Sequence, residues 1–337
     1  MTFGCVGAGR HCRGGRGYAP TVPPLRSPAR THPARILVVG DLVLDVVIAP
    51  AGSLESGTDV AGRIAFVQGG SAATTARWLA RLGARSTLVC AVGRDATGRA
   101  LVAAVRKDGV VVHVSRVAGA GTGRIGVVVN PDGERSFVTD RGAADLLDPG
   151  DLKASWFASI EVVHLPVYSL LGSPLGDAGR RVVELGREAG ALVSLDLASI
   201  GPLMARGRRA ARTLIAAVAP DILFATEAEA SALLGGHDVD GLVTFSAIAV
   251  VKRGPRGATV VARVGGEHLR FDVATAPIAA TDSTGAGDAF DAGFLVGWLT
   301  ARAAGRSLPA ALQRAALSGH RAAARQLSTP RVEVGIG

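Results

Sequence analysis

The sequence predicts an α/β fold, with a central, mostly parallel sheet, helices on both of its faces and a smaller β sheet beside it. The first observation is the alternation of short apolar runs and helical patterns between residues 160 and 234, which is typical of βα units. The second is a run of strand patterns between residues 110 and 140, including a hairpin signal. The third is an apolar content of 48% in 337 residues, enough for one large core, without any apolar run long enough to span a membrane.

The net charge of +9 is unevenly distributed along the chain. Residues 1–35 contain six arginines and no acidic residue, so the rest of the chain carries only +3 and predicts no nucleic-acid surface. Because residues 1–34 are also rich in Gly and Pro, we predict that they form a disordered extension. An organellar transit peptide and an over-extended start are the alternatives.

The three cysteines are Cys5, Cys12 and Cys90. Their spacing fits neither a disulfide framework nor a zinc site, so the expected location is the cytoplasm.

The ordered part of the chain begins at residue 35 with an apolar strand that ends at Gly40, and Asp45 interrupts the apolar stretch that follows. Taken alone, Asp45 is most simply a turn cap. Next, Gln68-Gly69-Gly70 precedes a helical pattern that stops at Gly83, as a glycine turn before a helix would.

A strand over 86–93 and a helix over 95–108 come next. Strands over 63–67, 110–114, 124–130 and 134–139, with a turn at 130–133, predict the small sheet. The segment Arg141-Gly142-Ala143-Ala144 follows it, and Arg141 in isolation could equally be a solvated surface residue.

The second half of the chain predicts strands at 160–165, 192–196 and 222–224 and helices at 175–189, 202–218 and 227–234. Thr226 and Glu229 lie at the start of the last of these helices, where acidic residues are also common for electrostatic reasons. A strand, a turn with Gly254 and Gly257, and a second strand then follow. No Gly-x-x-x-x-Gly-Lys-Ser/Thr motif occurs in the sequence, which excludes a P-loop kinase.

The most informative stretch is 281–293, a loop that turns into a helix reaching about residue 300. Thr284 is the expected cap. Gly285 and Gly287 leave backbone N–H groups open to an anion, and the helix dipole adds positive charge there. A carboxylate beside such a turn, Asp288, suits phosphoryl transfer to an alcohol, in which it accepts the hydroxyl proton.

The run Asp-Ser-Thr-Gly-Ala-Gly-Asp-Ala-Phe, which starts at Asp282, closely resembles the C-terminal signature of the ribokinase-like (PfkB type) carbohydrate kinase family. The glycine turn and helix from Gln68 to Gly83 resemble the N-terminal signature of the same family. The resemblance to the family covers residues 35–330. It implies a ribokinase-like α/β fold with a β lid built from strands at about 43–67 and 110–140. Residues 331–337 would be a C-terminal tail.

The resemblance also implies roles for individual residues. Asp288 would be the catalytic base, with an anion hole at Gly285, Ala286 and Gly287. The sugar would contact Asp45, Gly69, Gly70, Thr74 and Arg141. The nucleotide would contact Thr226, Lys252, Gly254 and Gly257, and metal ions would be organised by Glu229 and Asp282. ATP and Mg²⁺ are the implied cofactors. Potassium activation is not expected, because Ala323-Ala324 replaces the usual Gly-Ala turn within a predicted helix over 308–326.

The expected function is an ATP-dependent sugar kinase that acts on a hydroxyl of a small sugar, and a primary hydroxyl is expected. No nucleic-acid or membrane partner is expected, and the protein should form a homodimer through the lid. A nucleoside kinase of the same fold is one alternative. A catalytically weak sugar- or nucleotide-binding protein is another, because Thr74, Ala144 and Thr226 each replace an asparagine that is usual in the family.

Overall fold

The computed structural model describes residues 32–130, 135–278, 280, 282–329 and 331–335. Most of the predicted extension over 1–34, and most of the predicted turn at 130–133, therefore lie outside the described residues. The first strand of the described residues starts at Arg35, where the sequence predicts a strand, and Ala34 before it is buried.

The described residues form thirteen strands. They are β1 (Arg35–Val39), β2 (Val43–Pro50), β3 (Gly62–Gly69), β4 (Arg85–Gly93), β5 (Val111–Val117), β6 (Thr122–Val129), β7 (Arg135–Gly142), β8 (Val162–Pro166), β9 (Leu192–Asp196), β10 (Ile222–Thr226), β11 (Ile248–Lys252), β12 (Ala258–Val264) and β13 (Glu267–Val273). The helices of the same residues are α1 (Ser71–Arg81), α2 (Ala96–Lys107), α3 (Leu175–Glu188), α4 (Ile200–Met204), α5 (Arg208–Val218), α6 (Glu227–Leu234), α7 (Ala286–Ala303) and α8 (Leu308–Ser328).

Nine strands form the central sheet in the order β13-β12-β11-β10-β9-β8-β1-β4-β5. The pairs from β11 through to β5 are parallel, and β12 and β13 add antiparallel strands at one edge. Two separate apolar cores lie on the two faces of this sheet, one with α1, α2, α7 and α8 and the other with α3, α5 and α6. The predicted fold class, including helices on both faces, is confirmed.

The smaller sheet has the order β3-β2-β6-β7 and is called the lid below. The strands predicted at 63–67, 124–130 and 134–139 correspond to β3, β6 and β7 of this sheet, and β6 and β7 pair antiparallel on either side of the predicted turn.

Two predictions about individual elements are wrong. The strand predicted at 110–114 is β5, which pairs in parallel with β4 at the edge of the central sheet and not in the lid. The cause is α2, which is the crossover helix of a β4-α2-β5 unit and returns the chain beside β4. The single helix predicted over 202–218 is two helices, because Gly207 adopts a left-handed φ of 84° between α4 and α5.

No helix in the described part of the chain is long and apolar enough to cross a membrane.

Candidate active site

A cavity of about 830 Å³ opens between the lid and the carboxyl ends of the central strands. Its wall includes Asp41, just after β1, and the last residues of β9, β10 and β11, which are Asp196, Thr226 and Lys252. In the central sheet, β4 pairs on one side of β1 and β8 pairs on the other side of β1. The cavity therefore lies at the switch point of the strand order, where parallel α/β sheets usually bind ligands.

The start of α7 forms one wall of this cavity. Gly285 has a left-handed φ of 78° and is the residue before the helix, so the prediction that Thr284 caps it is wrong. The Ala286 N–H donates to the Ser283 carbonyl at 3.2 Å. The next two N–H groups, of Gly287 and Asp288, make no hydrogen bond within the described residues, as expected in the first turn of a helix. An anion can therefore bind at these two donors.

Asp288 lines the cavity at the point where the N-termini of α1 and α7 meet. Its Oδ1 accepts a hydrogen bond of 2.5 Å from the hydroxyl of Ser71, the first residue of α1. Burial, together with the nearby carboxylates of Asp196 and Asp41, raises the pKa of Asp288 to about 7, although Ser71 and Lys252 oppose the rise. A carboxyl group with a pKa near the working pH is suited to act as a general base.

Lys252 lies directly beside the anion-binding turn. Its Nζ is 3.0 Å from Asp196 Oδ1 and 3.2 Å from Asp291 Oδ1, and it is 3.4 Å from the position that a Cβ on Gly287 would occupy. Burial disfavours the ammonium group, but Asp196 and Asp291 outweigh it and raise the pKa of Lys252. The structure thus holds a fixed positive charge against the turn.

The opposite wall carries the predicted sugar-binding residues. Gly69 lies against Asp45, whose Oδ1 fills the space that a side chain on Gly69 would need. Arg141 is not a surface residue, since its side chain is only 17% exposed and ion-pairs with Asp41 and Asp145. Gly70 and Thr74 also line the cavity.

Asp282 does not stand as an open cation ligand. Its carboxylate accepts hydrogen bonds from Arg135 Nη1 at 2.8 Å, from Arg331 Nε at 3.0 Å and from the Thr284 N–H at 2.9 Å. Burial works against ionisation here, but the Thr284 bonds and the two arginines lower the pKa of Asp282 overall. Helix α8 runs without interruption through residues 323 and 324.

The predicted nucleotide and metal residues are divided between the cavity and its surroundings. Thr226 and Glu229 both line the cavity and also cap α6 reciprocally, with Glu229 Oε2 2.8 Å from the Thr226 N–H. Gly254 and Gly257 lie in the β11–β12 turn, outside the cavity wall. No group of three or more His, Cys, Asp or Glu side chains placed to hold a metal ion occurs in the part of the chain that the structure describes. Asp282 and Glu229 thus belong to no such group.

The residues of the site that were not predicted from the sequence alone include Ser71, Asp41, Asp196, Asp291 and Arg331. The first two have local signals, since Ser71 follows the Gly-Gly pair and Asp41 follows a glycine that ends a buried strand. Asp291 comes one helical turn after Asp288. Arg331 has no such signal, because it lies in the segment predicted to be a tail.

We expect kcat/KM to rise with pH through about 7, because only the ionised form of Asp288, whose pKa is about 7, can accept a proton. The Ser71 hydroxyl lowers the pKa of Asp288 by donating to its carboxylate. Ser71→Ala should therefore move the acidic limb of the profile to higher pH. An unchanged limb would show that another group controls it, and steady-state rates across a pH series measure both profiles.

The open helix N-terminus, the adjacent ammonium and the buried carboxyl at the strand ends define a phosphotransferase site with an alcohol acceptor. The comparisons with known proteins agree. The model of the pfkB family carbohydrate kinases matches residues 33–331. The chain belongs to this family, and the predicted resemblance is confirmed.

Individual relatives cover most of the chain. It is 32% identical to "Fructokinase-1" of Oryza sativa subsp. japonica over 76% of this chain and 80% of that protein. It is also 32% identical to "ATP-dependent ribose-1-phosphate kinase" of Halopiger xanaduensis, over 77% and 83%. The crystal structure of adenosine kinase from Sinorhizobium meliloti superposes with a TM-score of 0.75 and 26% identity, over 90% and 97% of the two chains.

Proposed function

We propose that the protein transfers the γ-phosphate of ATP to a hydroxyl group of a small sugar, with Asp288 as general base. The observation that supports this most directly is the position of Asp288. Its buried carboxyl has a pKa near neutrality and lies beside the two free N–H groups that begin α7. An in-line displacement needs an acceptor of the hydroxyl proton and donors to the phosphoryl oxygens at this same place.

In this mechanism the sugar binds between Asp45, Gly69 and Arg141 and directs one hydroxyl toward Asp288. The γ-phosphoryl group lies at the turn formed by Gly285, Ala286 and Gly287. Asp288 accepts the hydroxyl proton as the oxygen attacks phosphorus and the bond to the β-phosphate oxygen breaks, which leaves ADP. Charge on the transferred group is stabilised by the N–H groups and by the ammonium of Lys252.

Magnesium suits the charge of this site. Asp196, Glu229, Asp288 and Asp291 lie around the single ammonium of Lys252, and burial together with Asp196 raises the pKa of Glu229. A divalent cation would reduce this excess of negative charge, and Mg²⁺ commonly binds through one or two carboxylates plus substrate phosphates and waters. When bound, it would neutralise charge on the phosphates of ATP. Glu229 is the residue we propose to organise it.

We expect Glu229→Gln to raise the magnesium concentration that gives half the maximal rate, because the amide keeps the size but carries no charge. The KM for the sugar should stay nearly constant. Glu227→Gln, in the same first turn of α6 but outside the cavity wall, is the matched control. Magnesium titrations at saturating sugar measure the effect, and an unchanged half-maximal concentration would remove Glu229 from the metal site.

We do not expect potassium to activate the enzyme, because two guanidinium groups already pair with Asp282. Strong activation in the same assay would contradict this.

The test of the proposed function is an ADP-release assay with D-fructose, D-ribose, ribose 1-phosphate and adenosine as acceptors. Turnover of a sugar supports the proposal. A preference for adenosine would support a nucleoside kinase, which the likeness to the adenosine kinase structure favours as the second candidate. Binding of an acceptor without turnover would favour the sugar- or nucleotide-binding protein.

We also propose a homodimer formed through the lid. Phe66 and Val138 lie in one row across the lid, in register with Val46 and Gly126 between them, so all four are on the same face. Val138 is 72% exposed, and Ile64, two residues from Phe66, is 62% exposed. Such an apolar sheet face is typical of an interface. Sedimentation velocity of the wild-type protein tests this, and a monomer at assay concentration would contradict it.

A cytoplasmic location stays a prediction. The observation that supports it is Cys90, which is a free and buried thiol.

A further inference from the structure

Residues 331–335, which were predicted to belong to a tail, lie along the lid. Glu333 forms an antiparallel bridge with Val67 of β3, and the Val334 N–H donates to the Phe66 carbonyl at 2.8 Å. Arg63 Nη2 adds an ion pair of 2.6 Å to Glu333 Oε1. Since β3 is an edge strand of the lid, residues 331–335 extend the lid at this edge.

This arrangement places Arg331 in the wall of the cavity. Its Nη1 is 2.7 Å from Asp45 Oδ2 and its Nε is 3.0 Å from Asp282 Oδ2. The side chain is only 16% exposed. The hydrogen bonds of this guanidinium to described residues are made by Nε and Nη1, and the side chain lines the cavity, which leaves Nη2 as a donor for a bound molecule.

The contact also determines which oxygen of Asp45 is left for a ligand. Arg331 occupies Oδ2, whereas Oδ1 lies beside Gly69, which has no side chain to cover it. Burial raises the pKa of Asp45 to about 6; Arg331 opposes this rise, while Asp41 and Asp282 add to it. The guanidinium thus keeps Asp45 available as an ionised acceptor at neutral pH.

A free carboxylate oxygen and a free guanidinium N–H on one ion pair form a complementary pair of sites. A polyhydroxylated acceptor offers hydroxyl groups that both donate and accept hydrogen bonds. One hydroxyl can donate to Asp45 Oδ1 while the same or the adjacent oxygen accepts from Arg331 Nη2. Both bonds involve charged groups, which makes them stronger than neutral ones.

We propose that Arg331 is a sugar-binding residue, which donates to an oxygen of the sugar acceptor and holds Asp45 in position for the neighbouring hydroxyl. This inference rests on the proposed kinase function. The segment 331–335 is then part of the acceptor site and not a tail.

The test compares Arg331→Gln and Arg331→Lys with wild type, using whichever of D-fructose, D-ribose and ribose 1-phosphate the wild-type protein phosphorylates fastest. Arg331→Gln should raise the KM for that acceptor about 10–100-fold, as expected for a lost hydrogen bond to a charged group. The KM for ATP should change little. Arg331→Lys should lie between the two, because one ammonium cannot replace the planar guanidinium that bridges two carboxylates.

Arg63→Gln is the matched control. Arg63 binds the same segment through Glu333, but its side chain is 78% exposed and does not line the cavity. It should leave both KM values unchanged, which separates sugar binding from simple attachment of the segment. Melting temperatures of all variants show whether each is folded, and Arg331→Lys keeps the charge if Arg331→Gln does not fold.

An unchanged acceptor KM in a folded Arg331 variant, or equal rises in the acceptor KM for Arg63→Gln and Arg331→Gln, would overturn the inference while leaving the kinase function intact. If the wild-type protein phosphorylates none of the three sugar acceptors, the proposed function is wrong and the inference falls with it.

Discussion

Asp288→Asn should lower kcat by about 10²–10⁴-fold, the range that general-base catalysis typically supplies. Asparagine keeps the size of the side chain and can still bond to Ser71, but it cannot accept the hydroxyl proton. KM for ATP and for the sugar should change far less than kcat. The measurement is kcat and melting temperature on the same preparation.

The alternative role for Asp288 is an acidic residue that stabilises the first turn of α7. That role predicts a stability loss of about 0.3–1 kcal/mol with turnover nearly intact. The structure predicts that Asp288→Asn does not lose stability. The folded-state pKa of Asp288 is raised, so the ionised carboxylate costs stability above that pKa. The melting temperature of Asp288→Asn should not fall at neutral pH.

Asp95 provides the matched control. Its side chain caps α2 by accepting from the Gly98 N–H at 2.7 Å, at a distance from the cavity wall. Asp95→Ala should cost about 0.5–2 kcal/mol of stability for the lost cap and more for the lost bonds from the Thr122 N–H and hydroxyl, with kcat unchanged. An Asp288→Asn enzyme that turns over at the wild-type rate would disprove the mechanism.

Lys252→Met should be the second most damaging substitution, because it removes the ammonium from between two buried carboxylates. Removing one partner of a buried ion pair costs about 3–5 kcal/mol, so the melting temperature should fall. Losing a fixed donor to the developing charge should also lower kcat about 10²–10³-fold. Lys107→Met, at an exposed position near the end of α2, is the control and should change neither.

The two effects of Lys252→Met can be separated by adding Asp291→Asn. The double variant has one buried carboxylate fewer, so much of the lost stability should return. The rate should stay low, because the ammonium is still missing beside Gly287. Recovery of kcat together with stability would show that Lys252 acts only through the fold.

The sequence was sufficient to predict the fold and the wall of the cavity that the start of α7 forms. Short-range patterns predicted most of the strands and helices, and the run from Asp282 predicted where α7 begins to within two residues. The strand at 110–114 was predicted but assigned to the wrong sheet. This shows the limit of such patterns, because the residues of an edge strand do not specify which sheet it joins. Only the position of α2 against the central sheet decides that.

The remainder of the site depends on contacts between distant parts of the chain. Arg331 and Asp45 are 286 residues apart, and no local pattern near residue 331 indicates a binding residue. Similarly, Asp291 resembles any other helical residue until Lys252 is placed beside it from β11. Charge balance in a buried site is a property of the folded chain and cannot be derived from the spacing of residues in sequence.

The two arginines on Asp282 have a consequence for the loss of ATP to water. Arg135 reaches this carboxylate from β7, at one edge of the lid, and Arg331 reaches it from the segment along the opposite edge. Lifting the lid must therefore break contacts to the loop that presents the N–H groups of α7. With the mechanism proposed above, we therefore expect the turn at Gly285 and Gly287 to be less well supported when the lid is open, and ATP hydrolysis without a sugar to be slower than transfer to a sugar.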